Sequence, residues 1–199
     1  MSAALSNVFL REGASGRLVP AILHDSIQPR HLDDHQQHWK PLMASSSAQH
    51  NHWDWRQKVR HYSSRLSHQS FAIECAGVAQ GLMIVNTMKR CRIPAQANRH
   101  LVYVEYLEAA PWNRGAGQLY KGVGTVMIAV AIQLSIEEGN QGRVGLYSLP
   151  QADSFYGDHC GMTDTGPDTS YDAHFPLRYF EMTHAQAAIF LKGPKSDET

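Results

Sequence analysis

The sequence has few of the features that mark secreted and membrane proteins. Its three cysteines, Cys75, Cys91 and Cys160, form no CxxC pair and cannot all be paired with one another. No apolar run reaches the length of a membrane span, and the N-terminus has no basic stretch followed by a hydrophobic segment. We therefore expect a reduced, cytoplasmic protein with no membrane-spanning segment.

Motifs of three large enzyme classes are also missing. The sequence contains neither the G-x-S-x-G elbow of serine hydrolases nor a P-loop G-x-x-x-x-G-K-[ST]. The G-x-G at Gly122 has Met127 where a dinucleotide-binding loop has its third glycine. Asp158-His159-Cys160 are sequence neighbours, which rarely form a catalytic triad. The sequence thus gives no support to hydrolase, NTPase or dinucleotide-dependent chemistry.

Net charge is absent as well, since 18 lysines and arginines balance 18 aspartates and glutamates. The charges are unevenly placed: Asp54 to His100 holds eight basic residues against two acidic ones, and Leu101 onward holds six against twelve. The basic segment is either a solvated face or a surface for an anionic ligand or partner. A neutral chain does not favour a dedicated nucleic-acid binder.

The composition is that of one globular domain. The chain has 199 residues, of which 43% are hydrophobic and 18% charged. We expect a single domain over residues 1–199, with a poorly patterned segment at 1–50 and a flexible tail at 191–199. Leu18 to Leu23 is a candidate strand in that N-terminal segment.

The middle of the chain carries the clearest pattern. Leu101 to Leu107 is typical of a buried strand, Gly122 to Glu138 of an apolar helix closed by Gly139, and Arg143 to Leu149 of the next strand. This order predicts a βαβ unit with two parallel strands. The other predicted elements are a helix at His52–Leu66 capped by Asn51, a hairpin of Phe71–Cys75 and Gly81–Val85, a short helix at Ala152–Cys160, a turn-rich loop at Asp164–Asp172 and a strand at Leu177–Met182.

The start of the apolar helix is suited to a phosphate. A helix N-terminus offers backbone N–H groups and the positive end of the helix dipole. Gly122 and Gly124 have no side chains, so a pyrophosphate can approach the backbone there, and Lys121 and Arg114 would add positive charge. Tight packing of the helix start is the alternative explanation for these glycines.

At this point the sequence resembles the GNAT superfamily of acyl-CoA-dependent N-acyltransferases, from about Phe71 to Phe190. The family hallmark is a strand followed by [R/Q]-x-x-G-x-[G/A] and a helix. Leu119 to Gly124 matches both glycines, with Leu119 where Arg or Gln is usual. Ala152 to Gly161 matches a second family segment, A/N-x-x-F-Y-x-x-x-G, with one extra residue before its glycine.

The resemblance implies a mixed α/β (α+β) fold: a central, mostly antiparallel sheet with a splayed parallel pair, flanked by helices. It also implies acetyl-CoA as co-substrate, with the pantetheine arm between the two splayed strands, and a primary amine of a small molecule or protein as acceptor. The CoA-binding positions that it implies are Leu107, Glu108, Ala109, Leu119, Tyr120, Lys121, Gly122, Val123, Gly124, Thr125, Ser154 and Tyr156.

Acetyl transfer requires that the ammonium lose a proton, that the thioester carbonyl be polarised and that the leaving thiolate gain a proton. The resemblance implies that Tyr156 protonates the CoA sulfur; packing of the Phe155-Tyr156 pair into the core is the alternative. Deprotonation falls to Glu105 or Glu108, which alternate across the strand. Glu105 is favoured because aromatic and apolar residues flank it, although a structural hydrogen bond would also explain it. Amides of Leu107–Ala109 would bind the carbonyl.

Two other patterns are interpreted as structural. His31, His35 and His38 have helical spacing, but their segment is polar, so we expect a solvated histidine-rich face and no metal site. Trp53 and Trp55 lie on nearly opposite helix faces, so one is expected to pack inward while the other lines an acceptor pocket.

Three functions therefore remain open from the sequence. The first is an N-acetyltransferase for a small or protein amine. The second is a GNAT-type toxin or effector that acetylates a macromolecule such as aminoacyl-tRNA, which rests on the basic segment. The third is a catalytically silent domain that binds acetyl-CoA or a protein partner. The family often dimerises, which leaves a homodimer open.

Overall fold

A computed structural model describes residues 6–44, 51–169 and 176–193. The strands are β1 (Ser6–Glu12), β2 (Leu18–His24), β3 (His68–Cys75), β4 (Val78–Arg90), β5 (His100–Ala109), β6 (Tyr120–Lys121), β7 (Val144–Ser148), β8 (Thr163–Asp168) and β9 (Leu177–Met182). The α-helices are α1 (Pro29–Asp34), α2 (Lys40–Ala44), α3 (Trp55–Tyr62), α4 (Val123–Glu137) and α5 (His184–Lys192). One π-helical turn, His35–Trp39, joins α1 to α2, and another covers Phe155–His159.

The strands form one mixed sheet in the order β6-β1-β2-β3-β4-β5-β7-β9-β8. β5 and β7 are parallel, with Val102 opposite Val144 and Val104 opposite Leu146, while β7–β9, β8–β9, β1–β2, β2–β3 and β1–β6 are antiparallel. The parallel ladder ends at Val104–Leu146, whereas β5 continues to Ala109. The expected mixed, mostly antiparallel sheet with one parallel pair and flanking helices is confirmed.

The chain divides into two compact units, and β4, β5 and α4 each contribute residues to both. Unit 1 comprises Met1–Ile84 and Tyr106–Met127, and unit 2 comprises Val85–Glu105 and Ile128–Thr199. The expectation of a single domain over residues 1–199 stays a prediction. The core of unit 1 is a cluster of buried residues: Ile27, Leu32, Trp39, Met43, Trp55, Ala72, Ala79, Leu82, Ile84 and Ala110.

Unit 2 is organised around a buried carboxylate on β9. Glu181 is fully buried, and its carboxylate accepts hydrogen bonds from the backbone N–H groups of Arg92 (2.6 Å) and Ile93 (3.2 Å). It also accepts from Gln96 Nε2 (2.7 Å) and from the Tyr179 hydroxyl (3.0 Å). A buried carboxylate is tolerated only when its oxygens are satisfied in this way. These bonds fix the connection between β4 and β5.

The predicted helix at His52–Leu66 is shorter than expected. Asp54 has extended backbone angles, and its Oδ1 accepts from Gln57 N at 3.0 Å, so Asp54 rather than Asn51 is the N-cap. The helix therefore starts at Trp55 and ends at Tyr62, and Trp53 lies outside it.

Other boundaries also differ from expectation. The poorly patterned segment at 1–50 contains β1, β2, α1 and α2. The predicted turn-rich loop at Asp164–Asp172 was wrong over residues 164–168, because β8 pairs there with β9 across an irregularity between Asp164 and Pro167. Residues 170–172 lie outside the described residues. Of the tail at 191–199, residues 191 and 192 belong to α5, and residues 194–199 lie outside the described residues.

The first prediction concerns the contact between β4 and the start of α4. A Cβ atom at Gly81 would lie 2.7 Å from Val123 Cγ1 and 3.1 Å from Met127 Cε, so the helix can approach only because this residue is glycine. Gly81→Ala is expected to lower the free energy of unfolding by about 1–3 kcal/mol through overpacking. Urea denaturation of the wild-type protein and the variant measures this change in the free energy of unfolding.

The matched control is Gly157→Ala. A Cβ there would make an ordinary contact, 3.4 Å from Phe180 Cε1, so the loss of stability should stay below about 1 kcal/mol. An equal loss for both variants would show that the close approach at Gly81 is not the cause.

Candidate active site

The N-terminus of α4 is partly exposed. Gly122 is exposed, with φ +91°, a backbone conformation that favours glycine, and Gly124 lies half-buried in the first helical turn. The first helical hydrogen bond runs from Val126 N to Gly122 O (2.9 Å). The N–H groups of residues 123–125 therefore precede the first intrahelical bond, which is the arrangement that binds phosphate. Lys121 is exposed beside them.

The loop before α4 is held in place by a buried amide pair. Asn113 Oδ1 accepts from Tyr120 N (2.9 Å), and Asn113 Nδ2 donates to Gln80 Oε1 (2.9 Å). The same Gln80 oxygen accepts from Trp112 Nε1 (2.8 Å). Since Gln80 belongs to β4, this network ties the glycine loop to the sheet.

A second support for the loop comes from the N-terminal segment. Lys121 and Tyr120 pair with Arg11 and Glu12 of β1, and Gly13 N donates to Leu119 O at 2.8 Å. A Cβ at Gly13 would lie only 1.7 Å from the Gln118 carbonyl oxygen. Gly13 is therefore required for this contact, although nothing in the local sequence marks it.

Glu108 is the centre of a buried polar cluster near the end of β5. It is 2% exposed, and its carboxylate accepts from Trp55 Nε1 (2.5 Å) and from an Arg114 NH2 group (3.1 Å). His35 Nε2 lies 3.5 Å from the same carboxylate. Burial lowers the pKa of the Arg114 guanidinium, an effect that Glu108 opposes. Arg114 also donates to the Ala109 carbonyl, so it is paired with β5, and the expectation that it adds charge at a phosphate stays a prediction.

Lys58 lies among aromatic side chains, and the charge of Glu108 acts on its amine. We call Trp53, Tyr62 and Tyr106 the aromatic cluster. Their rings pack edge-on or tilted, with the Trp53 and Tyr106 centroids 5.2 Å apart. Lys58 Nζ lies 3.4 Å from the Tyr106 centroid and 4.9 Å from that of Trp53. Trp55 is buried against Glu108 and Trp53 is half-buried, but the expected placement on nearly opposite helix faces was wrong, because Trp53 precedes α3 and its ring centroid lies 6.4 Å from that of Trp55. That one of them lines an acceptor pocket stays a prediction.

Glu105, which the sequence favoured over Glu108, is the less enclosed carboxylate. It is half-buried, belongs to unit 2, and accepts from Asn86 Nδ2 at 3.2 Å. Glu108 and Tyr106 belong to unit 1, on the opposite face of β5 from Glu105 because side chains alternate along a strand. The carboxylate with several strong donors is therefore Glu108.

Tyr156 and Ser154 belong to unit 2. Tyr156 is buried in the π-helical turn Phe155–His159, with its ring centroid 5.1 Å from that of Phe155 and 6.0 Å from that of Phe180. Burial, with a smaller contribution from Cys160, raises the pKa of the Tyr156 phenol, so this group keeps its proton at neutral pH. Ser154 is exposed at the start of the turn.

The predicted solvated histidine face was wrong for two of its three members. His31 and His35 are 0% and 3% exposed, and only His38 is exposed. The two imidazoles are buried because each faces a carboxylate: His31 Nε2 is 3.4 Å from Glu74 and His35 Nε2 is 3.5 Å from Glu108. These distant acidic partners could not be inferred from the histidine spacing.

A group with metal-ligand chemistry involves His24, His31 and Glu74, whose ligand atoms lie within 4.8 Å of one another. Arg30 lies 3.2 Å from the Glu74 carboxylate and already supplies a cation there. His31 Nδ1 accepts from Gln28 N (3.1 Å), and His31 Nε2 lies 3.4 Å from both Arg30 Nε and the Glu74 carboxylate. Burial and the nearby His24 lower the pKa of His31. This donor set fits a hydrogen-bonded network better than a metal centre.

Comparisons with known proteins give matches through structure alone. No protein-family model and no curated protein sequence matches the chain. An acetyltransferase of the GNAT family from Staphylococcus aureus matches with a TM-score of 0.55 at 8% identity, over 82% of this chain and 99% of that chain. A candidate arylalkylamine N-acetyltransferase 7 from the mosquito Aedes aegypti matches with a TM-score of 0.59 at 13% identity, over 92% of this chain and 95% of that chain. A mutant AtaT toxin, bound to the C-terminus of the antitoxin AtaR and acetyl-CoA, gives 0.52 at 10% identity, over 74% and 86%.

The chain has the GNAT fold. These structural neighbours differ in what they bind, so the fold alone does not define an acceptor. Within the GNAT fold, the glycine loop at the start of α4 and the Glu108 cluster both belong to unit 1. Among the described residues no helix is both long and apolar enough to cross a bilayer.

The basic segment from Asp54 to His100 gives little support to a nucleic-acid surface. Arg56 pairs with Asp33, and Arg92 pairs with Asp168 at 2.6 Å. Arg56 belongs to unit 1 and Arg92 to unit 2. Two of the eight basic residues of the segment are therefore paired within the protein.

The second prediction tests the coupling between Trp55 and Glu108. Trp55→Phe removes the indole donor and is expected to lower the free energy of unfolding by about 1–3 kcal/mol. In a Glu108→Gln background the same change should cost at least about 0.5 kcal/mol less, because a neutral amide accepts a weaker hydrogen bond. Urea denaturation of the four proteins completes the cycle, and equal costs in both backgrounds would contradict the assignment.

Proposed function

We propose that the chain is an acetyl-CoA-dependent N-acetyltransferase that acts on a primary amine of a small molecule or protein. The observation that carries the proposal is the strand–loop–helix of a GNAT fold, in which exposed Gly122 directly precedes a 15-residue helix and half-buried Gly124 lies in its first turn. Backbone amides at that position suit the pyrophosphate of CoA. The GNAT neighbour determined with acetyl-CoA supports the choice of donor.

The donor would use three groups of residues. The pyrophosphate would lie against the segment Leu119, Tyr120, Lys121, Gly122, Val123, Gly124 and Thr125. The thioester carbonyl would accept from amides of Leu107–Ala109 at the end of β5, beyond the last residue pair of the parallel ladder with β7. Ser154 and Tyr156 complete the proposed set.

The proton transfers are assigned to two side chains. Tyr156 would protonate the CoA thiolate, and its raised pKa keeps the phenol protonated for that step. Glu108 would accept a proton from the acceptor ammonium, directly or through a water. Its partners Trp55 and Arg114 hold the carboxylate in one orientation. Glu105 is the alternative base, and Asn86 would then be its orienting partner.

The acceptor is expected to be cationic before reaction. The aromatic cluster and the Glu108 carboxylate both favour an ammonium group, through cation–π and charge attraction respectively. The GNAT neighbour described as an arylalkylamine N-acetyltransferase supports an amine of this kind. Acetylation of a macromolecule such as aminoacyl-tRNA receives less support, because Arg56 and Arg92 are paired within the protein. A cytoplasmic location and a homodimer stay predictions.

The third prediction tests the donor site. The wild-type protein should bind acetyl-CoA saturably in calorimetric titration, whereas Gly124→Leu should abolish measurable binding, because the leucine side chain would occupy the phosphate position. Leucine is a good helix former, so the variant should fold. The control is Gln133→Leu on an exposed position of the same helix, which should bind normally. Failure of the wild-type protein to bind would remove the proposed function.

The fourth prediction tests the general acid. With an accepted amine, Tyr156→Phe should lower kcat by about 10²–10⁴-fold while acetyl-CoA affinity stays nearly unchanged, because only the phenolic proton is removed. Steady-state turnover and calorimetry give the two quantities. A variant with wild-type kcat would show that another group protonates the thiolate.

A further inference from the structure

The side chain of Lys58 places a primary amine beside the proposed reaction centre. Lys58 extends from α3 and is half-buried, with Nζ on the face of the Tyr106 ring and near that of Trp53. An ammonium in this position is attracted by the ring faces but has lost part of its hydration. The amine is thus enclosed by the aromatic cluster rather than projecting into water.

This enclosure also changes the chemistry of the amine. Burial lowers the pKa of Lys58 to about 8, and the negative charges of Glu108 on β5 and Asp54 at the start of α3 oppose the shift. The phenol of Tyr106, on whose ring Nζ lies, is another titratable group beside it. An ordinary lysine, with a pKa near 10.4, is almost fully protonated at about pH 8. Lys58 therefore presents a larger fraction of nucleophilic free amine.

The position of this amine can be related to the proposed thioester site through β5. Tyr106 and Glu108 lie on the same face of the strand, about 7 Å apart along it. The proposed function puts the thioester carbonyl at the amides of Leu107–Ala109, which overlap that interval and extend one residue beyond it. The Lys58 side chain has several rotatable bonds, so moving Nζ from the Tyr106 ring toward Glu108 requires only side-chain rotation.

We propose that Lys58 is a self-acetylation site, modified within one molecule by the acetyl-CoA that the same molecule binds. This inference rests on the proposed function, since it needs acetyl-CoA at the start of α4 and at the end of β5. Lys58 would then be an acetyl acceptor within the protein, in addition to the external amine of the substrate.

The step balances without any further reactant. The Lys58 ammonium loses a proton to Glu108 or to water, and the nitrogen lone pair attacks the thioester carbonyl carbon. The C–S bond breaks, the CoA thiolate takes up a proton, and the nitrogen loses a second proton as the amide forms. The products are Nε-acetyllysine and free CoA.

Acetylation would remove a positive charge from the aromatic cluster. Acetyl-Lys58 is neutral, and Arg114 remains paired with Glu108. The acetamide is larger than the ammonium that lies on the Tyr106 ring, so it would fill more of the space beside the aromatic cluster. The modified protein is therefore expected to take external amines more slowly than the unmodified one.

The test is incubation of the purified protein with acetyl-CoA, followed by intact-mass and peptide mass spectrometry. The expected result is one added acetyl group, located on Lys58, at an occupancy at least about tenfold above that of any exposed lysine because the reaction is intramolecular. The first-order rate should not change on dilution of the protein. It should rise with pH and level off near the Lys58 pKa of about 8.

Two controls separate this reaction from chemical acetylation. Lys58→Arg keeps the charge but has no acetylatable amine, so the added mass should disappear while acetyl-CoA binding is retained. Lys89 is exposed, with Nζ 5.6 Å from the Tyr103 centroid, and so is a lysine near a tyrosine ring but in unit 2. It should be acetylated only at the background level.

Each outcome decides the inference. Saturable acetyl-CoA binding without a modified Lys58, or with Lys58 and Lys89 modified equally, would overturn the self-acetylation site and leave the proposed function intact. A rate that rises with protein concentration would also overturn it, because transfer would then occur between molecules. Absence of acetyl-CoA binding would overturn the proposed function and this inference together.

Discussion

Burial of the Glu108 carboxylate is the constraint on which the candidate site depends. A carboxylate removed from water costs several kcal/mol unless donors and cations surround it. Its hydrogen-bond donors come from two separate segments, Trp55 from α3 and Arg114 from the loop that follows β5, and His35, from the turn between α1 and α2, lies 3.5 Å from it. Satisfying this one charge therefore fixes the N-terminal helices and the approach to the glycine loop at the same time. It also explains why Arg114 is directed to β5 rather than to the start of α4.

The sequence was sufficient for the parts whose signals are local. The strand–helix–strand unit was predicted to within a few residues, because β5 and β7 are apolar runs and α4 is bounded by Gly122 and Gly139. The positive φ angles of these two glycines, +91° and +76°, are conformations that few other residues adopt. The fold class followed from the resemblance that this unit and the Ala152–Gly161 segment carry. The roles proposed for Tyr156 and for the glycine loop come from the same resemblance.

What the sequence did not reveal depends on partners distant along the chain. His31 and His35 look solvated in sequence, and their burial makes sense only once Glu74 and Glu108 are beside them. Gly13 lies in a turn where no sequence pattern indicates a close contact, yet the chain can approach Gln118 only because Gly13 has no Cβ. The Asp164–Asp172 segment has the composition of a loop, but Arg178 on the neighbouring strand pairs with Asp164 at 2.5 Å, which helps to hold β8 in the sheet. Such pairings are set by tertiary structure, which overrides local preference.

The Glu181 carboxylate has a consequence for how the chain folds as it is made. Its donors at Arg92, Ile93 and Gln96 precede it by 85 to 89 residues. At ordinary rates of translation that interval lasts on the order of 4 to 18 s. During this time the β4–β5 connection has left the ribosome without the acceptor that orders it. The nascent chain must therefore keep these amides hydrated, and unit 2 can close only after β9 has emerged.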